Sequence, residues 1–235
     1  MSEFSNKVVY VSGGAGNLGQ AVTKAFLDKG ATVIALDIDE AALKAAYIDA
    51  PDLLSTYVID LTDPIACEFL SGRLEQENKI ADILCALTGG FSMGDPVHET
   101  PSEIFNRLFE LNVQTLFTLV SACVPHMKAN GGGKIITIGA NAALNGLPNM
   151  GAYCASKSAV MKLTESMSAE LKSNGFNINC ILPTIINTPQ NRASMPGTDP
   201  KDWETPESIA NLICHLSSDA AEDIHGQMVR VGEQG

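Results

Sequence analysis

The sequence is poor in basic residues. Its 15 Lys and Arg stand against 27 Asp and Glu, for a formal net charge of −12 and a pI of about 4.6. So acidic a chain is repelled by phosphate backbones and anionic bilayers, so neither nucleic acid nor a membrane is an expected partner. No run approaches the roughly eighteen apolar residues of a spanning helix. The opening residues, "MSEFSNKVVYVSGG", lack a basic segment followed by an apolar one, so no signal peptide is expected. The 6 cysteines (Cys67, Cys85, Cys123, Cys154, Cys180, Cys214) include no C-x-x-C pair, and the 4 histidines (His98, His126, His215, His225) no i, i+4 pair. Reduced core thiols in a cytoplasmic protein, and no metal site, are the expectations. There is no repeat, low-complexity tract or linker. What is abundant is apolar: 45% of 235 residues, enough for the core of one large α/β domain.

β-rich apolar runs alternate with helical patterns. Strands are expected at 7–13, 31–37, 55–61, 81–90, 133–140, 176–183 and 226–232, and helices at 17–30, 39–48, 64–78, 102–129, 151–175 and 205–218. The strands are almost continuously apolar, as strands buried on both faces are. Strict alternation with helices implies right-handed crossovers and a single-domain, Rossmann-type, doubly wound parallel sheet of about seven strands, with helices on both faces. The longest irregular stretch, "NTPQNRASMPGTDPKDWETP" (187–206), is a candidate lid in which Met195 and Trp203 either close over a flat ring or anchor the loop.

"VSGGAGNLG" (11–19) joins the first strand to the first helix. Gly13, Gly14, Gly16 and Gly19 suit a tight turn that brings backbone amides up to a pyrophosphate, although a turn that binds nothing has the same composition. Asp37 ends the second strand 18 residues after Gly19, where an acid accepts hydrogen bonds from an adenosine ribose. A carboxylate there repels a 2′-phosphate, which favours NAD(H) over NADP(H). The other reading, a helix N-terminal acid, is a role Asp39 can fill. Tyr153 and Lys157 stand at Y-x-x-x-K spacing and share one helix face. An ammonium beside a phenol stabilises the phenolate and lowers a pKa that is ordinarily about 10. The spacing alone is also that of an ordinary amphipathic helix.

With these elements in order, the chain resembles the short-chain dehydrogenase/reductase family over nearly its whole length. "SGGAGNLG" looks like the family's T-G-x-x-x-G-x-G, with Ser12 for threonine and Asn17 at the middle glycine; "YCASK" (153–157) matches Y-x-x-x-K; and "LPTIINTP" (182–189) looks like P-G-x-x-x-T, with Thr184 for glycine. The resemblance implies an NAD(P)-dependent oxidoreductase acting on a small-molecule substrate. It makes Tyr153 the proton donor, Lys157 the residue that tunes it and holds the nicotinamide ribose, and Asn112 the support of a water path to the lysine. The implied cofactor site also takes in Gly13, Gly16, Asn17, Leu18, Gly19, Asp37, Asp60, Leu61, Gly89, Pro183, Ile186 and Thr188. Family members commonly pair through the helices at 102–129 and 151–174, which implies a homodimer or homotetramer.

Two positions depart from the family. Ala86-Leu87-Thr88-Gly89 replaces N-N-A-G, and Ala140, 13 residues before Tyr153, replaces the catalytic serine. One branch, typified by dihydropteridine reductase, is similar in this combination, in "NAALNGLPNMGAY" and in "LPTIINTPQNRASMP" followed by tryptophan. Loss of a positioned oxyanion donor costs on the order of 10²–10³ in rate. Ketone reduction then needs a substitute, for which Asn141, Thr88 and Asn145 are candidates, whereas a conjugated or cationic ring that accepts hydride without a localised alkoxide does not. Three readings follow: an NADH-dependent reductase of such a ring, a carbonyl or alcohol dehydrogenase with a relocated donor, and a non-catalytic dinucleotide sensor or partner subunit.

Overall fold

The computed structural model describes residues 2–232. Seven described strands, Val8–Ser12 (β1), Thr32–Asp37 (β2), Leu54–Val58 (β3), Ile83–Ala86 (β4), Gly133–Ile138 (β5), Phe176–Leu182 (β6) and Met228–Arg230 (β7), form one parallel sheet in the order β3-β2-β1-β4-β5-β6-β7. The helices are Asn17–Asp28 (α1), Glu40–Ala46 (α2), Pro64–Gln76 (α3), Ser102–Phe109 (α4), Thr115–Ala129 (α5), Gly151–Leu171 (α6), Pro189–Ser194 (α7) and Pro206–Ser217 (α8).

Strand periodicity divides the core in two. On β1, Val9 and Val11 join one cluster with Val22 and Phe26 of α1 and Ile209 and Ile213 of α8. Tyr10 joins the other, with Leu74 of α3, Leu116 and Leu119 of α5 and Val160 of α6. Helices therefore cover both faces, as expected. Most boundaries moved inward by one to three residues, but β4 ends at Ala86 rather than at residue 90. Ser12 Oγ accepts the amides of Leu87 and Thr88 (3.0 and 3.1 Å), and Asn112 takes that of Gly90 (2.8 Å), so side chains replace the ladder there.

Residues 102–129 are helical throughout but not uniform. Between α4 and α5 lies a π-helical turn, Glu110–Gln114. The whole stretch is 28 residues long with a mean hydropathy of 1.3 in its most apolar window, enough by length and composition to cross a bilayer. That departs from the expectation of no such run. The helix packs on α3 and α6 with Leu116, Leu119 and Cys123 buried, so its apolar content serves the core.

The order of strands reverses between β1 and β4, where crossovers leave in opposite directions. A crevice opens at such a point outside the carboxyl ends of the strands, and the residues below gather there.

Candidate active site

The glycine loop follows β1. α2, α3 and α8 are capped by the side chains of Asp39, Asp63 and Thr205, but α1 begins at Gly16 with no capping side chain. Its first amides are left for another acceptor. Side chains are excluded by contact: a Cβ on Gly19 would lie 2.1 Å from Gly13 O, and one on Gly14 would lie 2.8 Å from Ala35 Cβ. Asp37 reaches the loop from β2. Its Oδ2 accepts from Ala15 N (3.0 Å) and its Oδ1 from Asp39 N (3.2 Å), so the carboxylate braces the turn it was expected to complete. Thr88 Oγ1 is buried without a partner, 3.5 Å from the Cβ position of Gly13. A bare loop, an uncapped helix and an orphaned hydroxyl beside them fit a dinucleotide. The same placement removes Thr88 as a substitute for the missing serine, because its hydroxyl faces the glycine loop.

Asp60 is exposed beyond β3, and its carboxyl is held below the usual range by the hydroxyl and amide of Thr62 (2.7 and 2.8 Å). Leu61, beside it, is buried. Across the crevice, Pro183 follows β6 and accepts Asn141 N through its carbonyl (2.9 Å). Thr188 is more than a cofactor candidate: its Oγ1 caps α7 by accepting Asn191 N (3.2 Å). The 187–206 stretch is thus partly ordered. It is pinned at its base by Asn187 N to Glu204 O (2.7 Å) and Glu204 N to Ile185 O (3.0 Å), and by Trp203, which is 8% exposed. Trp203 anchors the loop.

The catalytic candidates meet at the start of α6. Lys157 is buried and donates to Ile138 O (2.9 Å), and burial pushes its amine down to about 8. Its Nζ lies 3.0 Å from the Cβ position of Gly89, and Asn112 Oδ1 lies 2.7 Å from it, so Gly89 is the gap into which both reach. Asn112 sits in the π turn, a feature common at functional sites. Its amide is fully engaged: Oδ1 accepts from Gly90 N (2.8 Å), while Nδ2 donates to Gly90 O (3.1 Å) and to Ser156 Oγ (2.9 Å). Ser156 in turn donates to Tyr153 O (2.9 Å).

Tyr153 was expected to be acidified by the lysine. In the fold, burial dominates and pushes its phenol above the ordinary tyrosine range, with a smaller contribution from Cys154. Desolvation penalises the phenolate, and Ile138 O rather than the phenol holds Lys157. Tyr153 is therefore neutral. Phe91 packs edge-on against its ring at 4.9 Å. Ala140 is buried with Ala143, Met161, Cys180 and Leu182, and Tyr153 packs on this cluster. The wall that would carry a serine hydroxyl is apolar. Asn141 is half-buried at the start of a 3₁₀ turn, and Asn145 at its end is exposed.

Sequence reasoning missed Ser156 and Phe91. Ser156 lies three residues beyond Tyr153 on the same helix face, which was a usable signal. Phe91 follows a double glycine with nothing in its spacing to mark it.

A surface groove of about 860 Å³ runs over the outer face of α1, lined by Asn17, Gln20, Lys24, Tyr47 and Arg192 among others. It is open and includes none of Tyr153, Lys157 or Asn112, so we place the chemistry in the crevice.

Comparison with known proteins identifies the family. Residues 7–198 match the family model of the short chain dehydrogenases. The chain is 30% identical over 232 residues to an NAD-dependent glycerol dehydrogenase of Listeria innocua, covering 95% of this chain and 91% of the relative. It is 28% identical over 238 residues to a cis-4-hydroxycyclohexanecarboxylate dehydrogenase of Sinomonas cyclohexanicum, covering 97% and 96%. The crystal structure of gox2181 superimposes with a TM-score of 0.90 at 28% identity, covering 97% of this chain and 95% of that one. The chain belongs to the short-chain dehydrogenase/reductase family, a family of NAD(P)-dependent oxidoreductases.

Proposed function

We propose that this chain is an NADH-dependent reductase of a small cyclic conjugated acceptor, dihydropteridine-like, quinone-like or imine-like, with Tyr153 as proton donor. The observation that carries the reading is the apolar wall at Ala140, packed by Met161, Cys180 and Leu182 against the ring of Tyr153. Such a wall supplies no oxyanion donor beside Tyr153, which suits an acceptor that forms no localised alkoxide.

The bound dinucleotide supplies the hydride. Gly13, Gly16, Asn17, Leu18 and Gly19 would receive its pyrophosphate, Asp37 its adenosine ribose, and Asp60 and Leu61 the neighbourhood of its adenine. Gly89, Pro183, Ile186 and Thr188 would border its nicotinamide end. Tyr153, kept neutral by burial, is in the protonated form a donor needs, which favours reduction. Lys157, charged below pH about 8, would hold the ribose hydroxyls and reprotonate the phenol. Asn112, pinned by Ser156, keeps the Gly89–Gly90 backbone clear of the lysine. Asp37 favours NADH because its charge opposes a 2′-phosphate, in line with the named cofactor of the glycerol dehydrogenase relative. The six described thiols are free and buried, in keeping with a cytoplasmic enzyme. Exposed Phe105 and Phe117 on the helices at 102–129 fit pairing into a homodimer or homotetramer.

A second reading, carbonyl or alcohol dehydrogenase, is favoured by Asn141. Its side chain is half-buried beside Ala140, and among the described residues no hydrogen bond engages it. Turnover by Tyr153→Phe tests both enzyme readings. A fall of about 10²-fold or more is expected for a general acid; unchanged activity would leave only a dinucleotide-binding role.

A further inference from the structure

Asn17 stands where the family's loop has its middle glycine, and nothing above accounts for it. Its side chain leaves the glycine loop and crosses the crevice: Nδ2 donates to Oε1 of Gln190 on α7 at 2.9 Å. The two residues are 173 positions apart, one at the start of α1 behind β1 and the other on α7 beyond β6. The bond matters because α7 has so little else. None of its residues is buried. Among the described residues, its remaining hydrogen bonds stay within 186–195: Thr188 caps it, Asn191 Nδ2 donates to Ile186 O (2.8 Å), Arg192 Nε donates to Asn187 Oδ1 (2.7 Å), and Met195 N donates to Asn191 O (3.0 Å). The base of the excursion is pinned at Ile186 and Glu204, and among the described residues one side-chain hydrogen bond ties α7 to the rest of the molecule.

We propose that Asn17 and Gln190 form a latch that holds α7 closed over the bound dinucleotide and slows its release. Asn17 is a positioning residue here, acting on the cofactor through the lid. A glycine at this position has no side chain to offer, which explains why this loop departs from the pattern. An exposed hydrogen bond is weak, so the latch opens often. Lids of this kind set the rate of product or cofactor release in many enzymes. The release half of the proposal rests on the NADH reading; the latch half does not.

Two measurements test it on the full chain. The first is limited trypsin cleavage after the exposed Arg192 in protein without cofactor, whose rate follows the open population. Asn17→Ala and Gln190→Ala should each raise it about threefold, as loss of one solvent-exposed hydrogen bond does. The double variant should be no faster than either single, because both remove the same contact. The second is stopped-flow release of NADH, where both variants should leave about threefold faster. Wild-type cleavage rates in both single variants, or effects that multiply in the double variant, overturn the latch. Faster cleavage with unchanged NADH release overturns its control of the cofactor. Failure of the wild type to bind NADH defeats the cofactor reading instead, and leaves the cleavage result standing.

Discussion

On the proposed function, the residue at position 140 decides which acceptors the site can reduce. Ala140 belongs to a buried apolar cluster with Met161, Cys180 and Leu182, against which Tyr153 packs, and a serine there would bring a hydroxyl into that cluster. Ala140→Ser is expected to raise kcat/KM for a simple ketone by about tenfold or more, part of what one oxyanion donor contributes. It should change turnover of a conjugated ring little. Steady-state kinetics with both acceptors checks this, and equal gains on both would contradict the account. Lys157 carries a second prediction. Its amine, lowered by burial from 10.5 to about 8, is charged below that pH and neutral above it. Activity that needs the charge should fall as pH rises through about 8, and Lys157→Arg, which stays charged, should move that fall upward. The stability sign is the reverse. Between about 8 and 10.5 the unfolded chain binds a proton at Lys157 that the folded chain does not, so the contribution of Lys157 to stability rises with pH across this window. The buried thiols and phenols act against it, because their raised pKa values lower stability as pH rises. Thermal melts across the window should show the stability of wild type gaining on that of Lys157→Met as pH rises, and a constant difference would contradict the lowered amine.

The elements were largely legible because their signals are local. Alternating strands and helices, the glycine turn and the Tyr153–Lys157 spacing all lie within short windows. What was not legible depends on contacts between distant segments. The end of β4 is set by Ser12 and Asn112, which are remote in sequence from Leu87 and Gly90. The π turn around Asn112 has no composition signal, and it takes shape where Asn112 binds Gly90 and Thr115 Oγ1 donates to Leu111 O (2.7 Å). The environment of Tyr153 was misjudged for the same reason: spacing places Lys157 on its face, but Ile138 O and burial decide the charges. Ser156 joins α6 to the π turn. Ser156→Ala leaves one N–H of Asn112 buried and unpartnered, which costs about 1–3 kcal/mol. At about 2–4 °C per kcal/mol for a chain of this size, calorimetry should show a drop of several degrees, and Asn112 should lose its hold on Gly90. A melting point within one degree of wild type would contradict the role given to Ser156.

For the whole molecule, the sheet order opens one crevice that, on the proposed function, would serve both ends of a dinucleotide. Asp37 would lie at its adenosine end, and its carboxylate accepts a hydrogen bond from Ala15 N. Asp37→Asn retains an acceptor for that amide and removes the charge. The ratio of kcat/KM for NADH over NADPH is expected to fall by about tenfold, since about 1.4 kcal/mol of repulsion is a factor of ten. An unchanged ratio would mean that cofactor choice lies elsewhere.

The most direct test of the central claim is oxidation of NADH by the purified protein with quinonoid dihydropterin and a simple β-keto ester as alternative acceptors, with NADPH in parallel. The account predicts fast turnover of the dihydropterin with NADH and little of the keto ester, because the Ala140 wall offers no oxyanion donor. Preference for the keto ester would contradict it, and would point to Asn141 as the donor that replaced the serine.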